Sequence, residues 1–272
     1  MGKIKPKETK MNVTYLILKR LILAFIIVFS ISNYAFTQND NDIKITHGPI
    51  LGHITHNSVR IWGRTSKSGV FQVVYNEVGS LSNPESLNVS TKIENDNTGW
   101  VTITNLKPDT KYTYHLKAGN SKSEEGAFKT LPDAANYIDK KHNPKGLFNF
   151  SFEFGSCSNQ NPKNGIGPSL PTYTTMLDKV RGEVDFAMMN GDWLYEELRD
   201  FPASKWLENN NLNTKTQPDV VKYAPTVVGV WENYKLYLDR APNFPKVASS
   251  SKSPQFGRTI TLPPSVPLLS KC

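Results

Sequence analysis

The sequence predicts an all-β sandwich at the front of the chain followed by an α/β segment. Three observations carry this. Short apolar runs separated by Asn, Gly and Ser recur from His47 to Leu131. Within them a strand, a Pro-Asp corner and a second strand follow one another between Trp100 and Leu116. Past residue 147 the order becomes strand, amphipathic helix, strand. With 272 residues, 38% of them apolar, the chain is long enough to bury one or two ordinary cores, which argues against a disordered or fibrous protein.

Residues 1–37 have the three parts of a secretory signal. A basic stretch ends at Lys19-Arg20, an apolar run extends from Leu21 to Phe29, and Ala35-Phe36-Thr37 approach Gln38. The apolar run is shorter than the roughly 20 residues that span a bilayer, so cleavage and export to the periplasm or exterior are expected. The alternative is an uncleaved anchor through residues 21–32, the one route by which this sequence would meet a membrane. The formal charge of +8 also belongs mainly to the leader, which holds Lys3, Lys5, Lys7, Lys10, Lys19, Arg20 and a single acid, Glu8. Without it the balance falls to about +3, and no nucleic-acid partner is specifically indicated.

Residues 38–46 read as a short polar linker, and the sandwich is expected over 47–132. Val59 and Ile61 alternate with Arg60, and Phe71, Val73 and Tyr75 alternate with Gln72, so each strand has one core face. Trp62 follows Ile61 directly and must face the other way unless a bulge intervenes. After Pro108-Asp109, Tyr112, Tyr114 and Leu116 alternate along the next strand. A Tyr just past such a corner can turn its hydroxyl back onto the backbone, as in immunoglobulin-like folds. Together these features resemble a fibronectin type III module, which Gly126 to Pro132 would close.

Residues 133–146, rich in Asn, Asp, Lys and Pro, read as a domain linker. The second part is expected over 147–247. Phe148, Phe150, Phe152 and Phe154 alternate along a strand that ends at Gly155-Ser156-Cys157. Pro171 to Arg181 carries Tyr173, Met176, Leu177 and Val180 at helical spacing, and Val184 to Met189 forms a strand closed by Asn190-Gly191-Asp192. Such a βαβ unit brings strand ends together, so Cys157 and Asp192 should be neighbours. A further helix is expected from Thr226 to Phe244, with Val230, Tyr234, Tyr237 and Leu238 on one side. The Ser- and Pro-rich residues 248–272 read as a disordered tail.

The chemistry centres on Cys157 and on Gly191-Asp192-Trp193-Leu194-Tyr195-Glu196. A strand-end carboxylate can bind a cation, Tyr195 can point its phenol at the same centre, and Cys157 can add a thiolate, a set that suits a redox-capable cation such as ferric iron. Each residue has a plainer reading alone. Gly-Asp is a common turn, a Tyr beside Leu and Trp commonly packs, and Cys157 suits a buried position or a disulfide with Cys272.

Their order and spacing are similar to those of the PhoD-like alkaline phosphatase and phosphodiesterase family, over residues from about His47 to about Val247. The resemblance implies an N-terminal β-domain followed by a metallophosphoesterase-like α/β domain. It also implies that Cys157, Asp192 and Tyr195 are metal ligands in a centre containing Fe3+ and Ca2+, and that the substrate is a phosphate ester. It assigns no further catalytic residue here. The family's Asp-Asp-His-Glu run, expected after Val247, is missing, and all five His lie at or before His142. The α/β domain is therefore expected to be incomplete, the chain to be a truncated form, and its turnover to be weak or absent. The alternative is a non-catalytic secreted protein whose sandwich binds a ligand, with Trp62 or Trp100 beside His53 and His56 as the contact surface.

Overall fold

The structure, a computed structural model, describes residues 43–135, 137–147, 151–157, 159–160, 163, 171–180, 186–189, 192 and 195–240. In chain order the strands of the first part are β1 (Ile45–Gly52), β2 (Val59–Thr65), β3 (Gly69–Glu77), β4 (Glu85–Thr91), β5 (Thr98–Ile103), β6 (Lys111–Ala118), β7 (Ser121–Lys122) and β8 (Gly126–Lys129). One antiparallel sheet runs β1-β2-β5 and the other β4-β3-β6-β7, with β8 also paired to β6.

The two sheets face each other across a core of Val59, Ile61, Phe71, Val73, Ile103, Leu116 and Phe128, all essentially inaccessible to water. Period-two alternation produces this directly. The β2/β5 register is regular from Val59↔Ile103 to Arg64↔Thr98, so no bulge interrupts it and Trp62 lies opposite Trp100 on the face away from the core. At Gly63 a Cβ would come within 2.5 Å of Leu116 Cδ1, so the sheets close most tightly there. The Pro-Asp corner is present: Tyr112 Oη accepts the Lys107 N–H at 2.9 Å, while the Tyr112 ring stacks on Phe128 with centroids 5.3 Å apart.

The second part has β9 (Phe152–Gly155) and β10 (Phe186–Met189), parallel and in register from Phe152↔Phe186 to Met189↔Gly155. Between them lies α1 (Pro171–Thr175), continued by a π-type turn at Met176–Val180. Phe148, Phe150, Val184 and Asp185 lie outside the described residues. Phe152 and Phe154 are 52% and 61% exposed, so their alternation does not mark a core face here. A two-stranded pair buries little on either side.

Three helices follow, α2 (Ala203–Asn209), α3 (Asp219–Tyr223) and α4 (Val227–Arg240). The first two start directly after Pro202 and Pro218, whose fixed φ of −68° and −61° leads into each helix. Trp206, Leu207, Val221 and Val228 join these helices in a small core, to which Ile93 of the sandwich contributes. The buried side of α4 is Val228, Gly229, Asn233, Tyr237 and Leu238; Tyr237 and Leu238 are buried as the periodicity expects, whereas Val230 is 39% exposed, which corrects its place on that face. Its polar members were invisible to an apolar pattern.

A charged junction ties α4 to the sandwich. Asp96, in the left-handed region at φ 51° where the 3-10 turn Ile93–Asn95 ends, accepts Arg64 Nε at 3.0 Å and Nη2 at 3.1 Å. Lys235 Nζ lies 3.5 Å from the same carboxylate and also meets Glu232. His47 Nε2 is 3.2 Å from Asp239 Oδ1, and desolvation pushes the imidazole pKa below its ordinary 6.5, with Asp239 opposing and Arg64 reinforcing that shift. Two opposed charge pairs at one buried point explain why Arg64 and Asp96 can leave water together. Among the described residues no helix is long and apolar enough to cross a membrane, and residues 21–32 lie outside them.

Candidate metal centre

Because Gly155 is the register partner of Met189, β9 and β10 stop level with each other. The chain then delivers Cys157 two residues beyond one strand and Asp192 three residues beyond the other. Both turn sharply, with φ of 63° at Cys157 and 48° at Asp192. A non-glycine residue held in that region costs on the order of 1–3 kcal/mol, and such strain concentrates at functional sites. Sheet geometry places this point where open α/β sheets bind ligands.

Cys157 Sγ donates to Asp192 Oδ2 at 3.0 Å, and Ser156 Oγ approaches the same sulfur at 3.5 Å. Cys157 is a free thiol and is exposed. The phenol of Tyr195 hydrogen-bonds the Cys157 side chain, and this contact, followed by partial desolvation and the negative charges of Cys157 and Asp192, raises its pKa above 10.0. Thus the three residues singled out in the sequence meet in one place. Gly191, Trp193 and Leu194 lie outside the described residues, as does Cys272.

The donor set can be tested against the implied cations. A thiol in contact with both a carboxylate and a phenol would, once all three are ionised, crowd three negative charges together. A transition-metal cation with mixed sulfur and oxygen preference relieves that repulsion, so the trio fits an iron-type ion. Calcium takes about six to eight oxygen ligands, and these residues offer only the Asp192 carboxylate and the Tyr195 phenol, so the fit to calcium fails among the described residues. No group of three or more His, Cys, Asp or Glu side chains converges among them. Among the described residues His47 engages Asp239 and Thr46, His142 lies by Asp139, and His115 sits on β6.

Sequence reasoning missed the support behind Tyr195. Tyr237 Oη lies 3.2 Å from the Tyr195 carbonyl oxygen and 3.1 Å from Glu197 Oε1, whose carboxylate also takes Arg240 Nη1 at 2.8 and 2.9 Å. Asn233 Oδ1 accepts the Leu198 N–H at 2.9 Å. The available signal was the interruption of the α4 apolar stripe by Gly229 and Asn233.

The aromatic surface of the sandwich is a second candidate. Trp100 is 52% exposed, but the Arg60 guanidinium lies 4.1 Å over its ring, so one face of that indole is already covered from within the chain.

Residues 31–132 match the family model described as PhoD-like phosphatase, N-terminal domain. A solved structure of PhoD is similar over 78% of this chain at 16% identity with a TM-score of 0.52, and the chain spans 37% of that structure's length. The sensor domain of the anti-sigma factor RsgI4 of Pseudobacteroides cellulosolvens is 25% identical over 34% of this chain and 95% of its own, with a TM-score of 0.28. The FN5 domain of Drosophila Lar is 18% identical over 33% of this chain and 94% of its own, with a TM-score of 0.26. No curated protein matches the chain.

Proposed function

We propose, on the match of residues 31–132 to the PhoD-like phosphatase N-terminal domain, that this chain belongs to the PhoD-like phosphatase family and is an exported metal-dependent phosphoric ester hydrolase whose Cys157, Asp192 and Tyr195 hold an iron ion. The observation that carries the proposal is the meeting of these three side chains, 3.0 Å apart at the first pair, beyond the ends of two level parallel strands. When bound, such an ion stabilises charge on phosphate oxygens and supplies a water of lowered pKa. The chain's own residues set the stage for it. The Asp192 carboxylate fixes the Cys157 sulfur, and the Tyr195 phenol keeps its proton until an electropositive partner arrives, since both neighbours oppose its ionisation.

Turnover needs more donors than three, and the five His residues all precede the α/β segment. These 272 residues by themselves are therefore expected to hydrolyse phosphomonoesters and phosphodiesters weakly or not at all. Metal analysis tests the site separately from activity. The purified chain should carry iron that is lost in Asp192→Ala and in Tyr195→Phe, and equal iron in both variants and wild type would sink the ligand assignment. Fast metal-dependent hydrolysis of a chromogenic phosphodiester by this chain would overturn the expectation of weak turnover. A mature N-terminus beginning at Gln38 would support export by signal cleavage, whereas retention of residues 21–32 would point to the anchor.

A further inference from the structure

The backbone around Tyr195 has no ladder to hold it. Residues 195–200 form no helix or strand, and beyond the Glu197 N–H bond to the Tyr195 carbonyl and the Glu196–Arg199 pair, the support for this segment comes from outside it. It comes from one stripe of α4. Gly229, Asn233, Tyr237 and Arg240 follow at spacings of four, four and three, which puts them on a single helix face. Every one of them addresses residues 195–199. At Gly229 a Cβ would lie 2.6 Å from both the Leu198 and Arg199 carbonyl oxygens, so only glycine lets the helix come this close. Asn233 takes the Leu198 N–H, Arg240 clamps Glu197, and Tyr237 Oη reaches both Glu197 and the Tyr195 carbonyl. A helix normally uses its buried face for apolar packing, so a stripe of polar groups committed to backbone and carboxylate contacts marks a holding function.

A second polar stripe on the same helix, Glu232, Lys235 and Asp239, lies roughly a third of a turn away and engages the sandwich through Asp96 and His47. The helix is thus fixed to the sandwich on one side and grips the Tyr195 segment on another.

We propose that Tyr237, with the Glu197–Arg240 pair, is a positioning unit that sets the Tyr195 phenol for metal binding, and that the sandwich anchors this unit through α4. The inference rests on Tyr195 being a metal ligand. Outer partners that orient a ligand typically change metal affinity 10–100-fold when removed.

Cobalt(II) titrated into the metal-free full chain, followed by thiolate-to-metal absorption, reads affinity without turnover. Tyr237→Phe keeps the buried ring and removes the hydroxyl, and is expected to weaken cobalt binding about 10-fold or more. The same substitution made in a Tyr195→Phe background is expected to cost less than about 2-fold, because its effect passes through Tyr195. Equal losses in the two backgrounds would mean a merely structural role and would overturn the inference. So would an unchanged affinity in Tyr237→Phe while Tyr195→Phe is weakened, and that result would leave the ligand assignment standing. Unchanged affinity in Tyr195→Phe, or no cobalt binding by wild type, would overturn both. Should Tyr237→Phe fail to fold, Glu197→Gln, on a half-buried turn, must show the same background dependence.

Discussion

Asp96→Asn is the sharpest perturbation of the junction between sandwich and helix. The substitution keeps side-chain shape and keeps a residue type that tolerates the left-handed backbone at φ 51°, so it isolates the charge. In the native chain the Asp96 and Arg64 side chains are only 4% and 10% exposed, and Asp96 is also the second partner of Lys235. Removing the carboxylate charge leaves two cations facing a neutral amide. Losing one member of a buried pair costs about 3–5 kcal/mol, and the retained amide oxygen puts this case near 3 kcal/mol. For a urea dependence of about 2 kcal/mol per molar, the unfolding midpoint should fall by about 1.5 M. Urea titration of the full chain followed by far-ultraviolet circular dichroism measures it. Adding Arg64→Met should restore most of the loss, since the buried guanidinium is then gone and Lys235 keeps its pair with Glu232. A shift below about 0.5 M, or no recovery in the double variant, would refute the view that this pair is desolvated and mutually dependent.

Two further outcomes are expected. Tyr112→Phe should cost about 1–2 kcal/mol and speed hydrogen exchange at the Lys107 amide, because the ring stack survives while a part-buried N–H loses its acceptor. Unaltered Lys107 exchange would show that the corner bond is not holding the turn. Stability should also fall as pH drops below about 6.5, because desolvation depresses both His47 and His115, so that the unfolded chain takes up those protons first. Above that value their contribution is complete, and it declines as pH approaches the lowered folded values. His47→Gln should flatten this dependence between pH 7.5 and pH 5 in urea midpoints, and an unchanged slope would exclude His47 as a source.

The sandwich was legible because its signals are local. Val59 and Ile61, Phe71 and Val73, and Tyr112 and Tyr114 alternate at the period of a strand, and Pro108-Asp109 marks the corner. The short helices α2 and α3 were not read, since seven and five residues make too few turns for an apolar period to register. The buried side of α4 is legible only in part, Tyr237 and Leu238 but not Val230, for a related reason. Gly229 and Asn233 are buried by what they contact, not by hydrophobicity.

For the candidate site, the sequence by itself determined which groups are present and that Cys157 and Asp192 stand just past strand ends, because polar punctuation after an apolar run is written residue by residue. Only tertiary structure decided that β9 and β10 end level, that the Cys157 thiol reaches Asp192 at 3.0 Å, and that α4 braces Tyr195 while gripping the sandwich. Those contacts join residues 35 to 42 positions apart, and Lys235 to Asp96 across a still longer span. Local propensity carries no information at such distances. Register, close approach at a glycine and the pairing of buried charges settle them, and each exists only once the chain has packed.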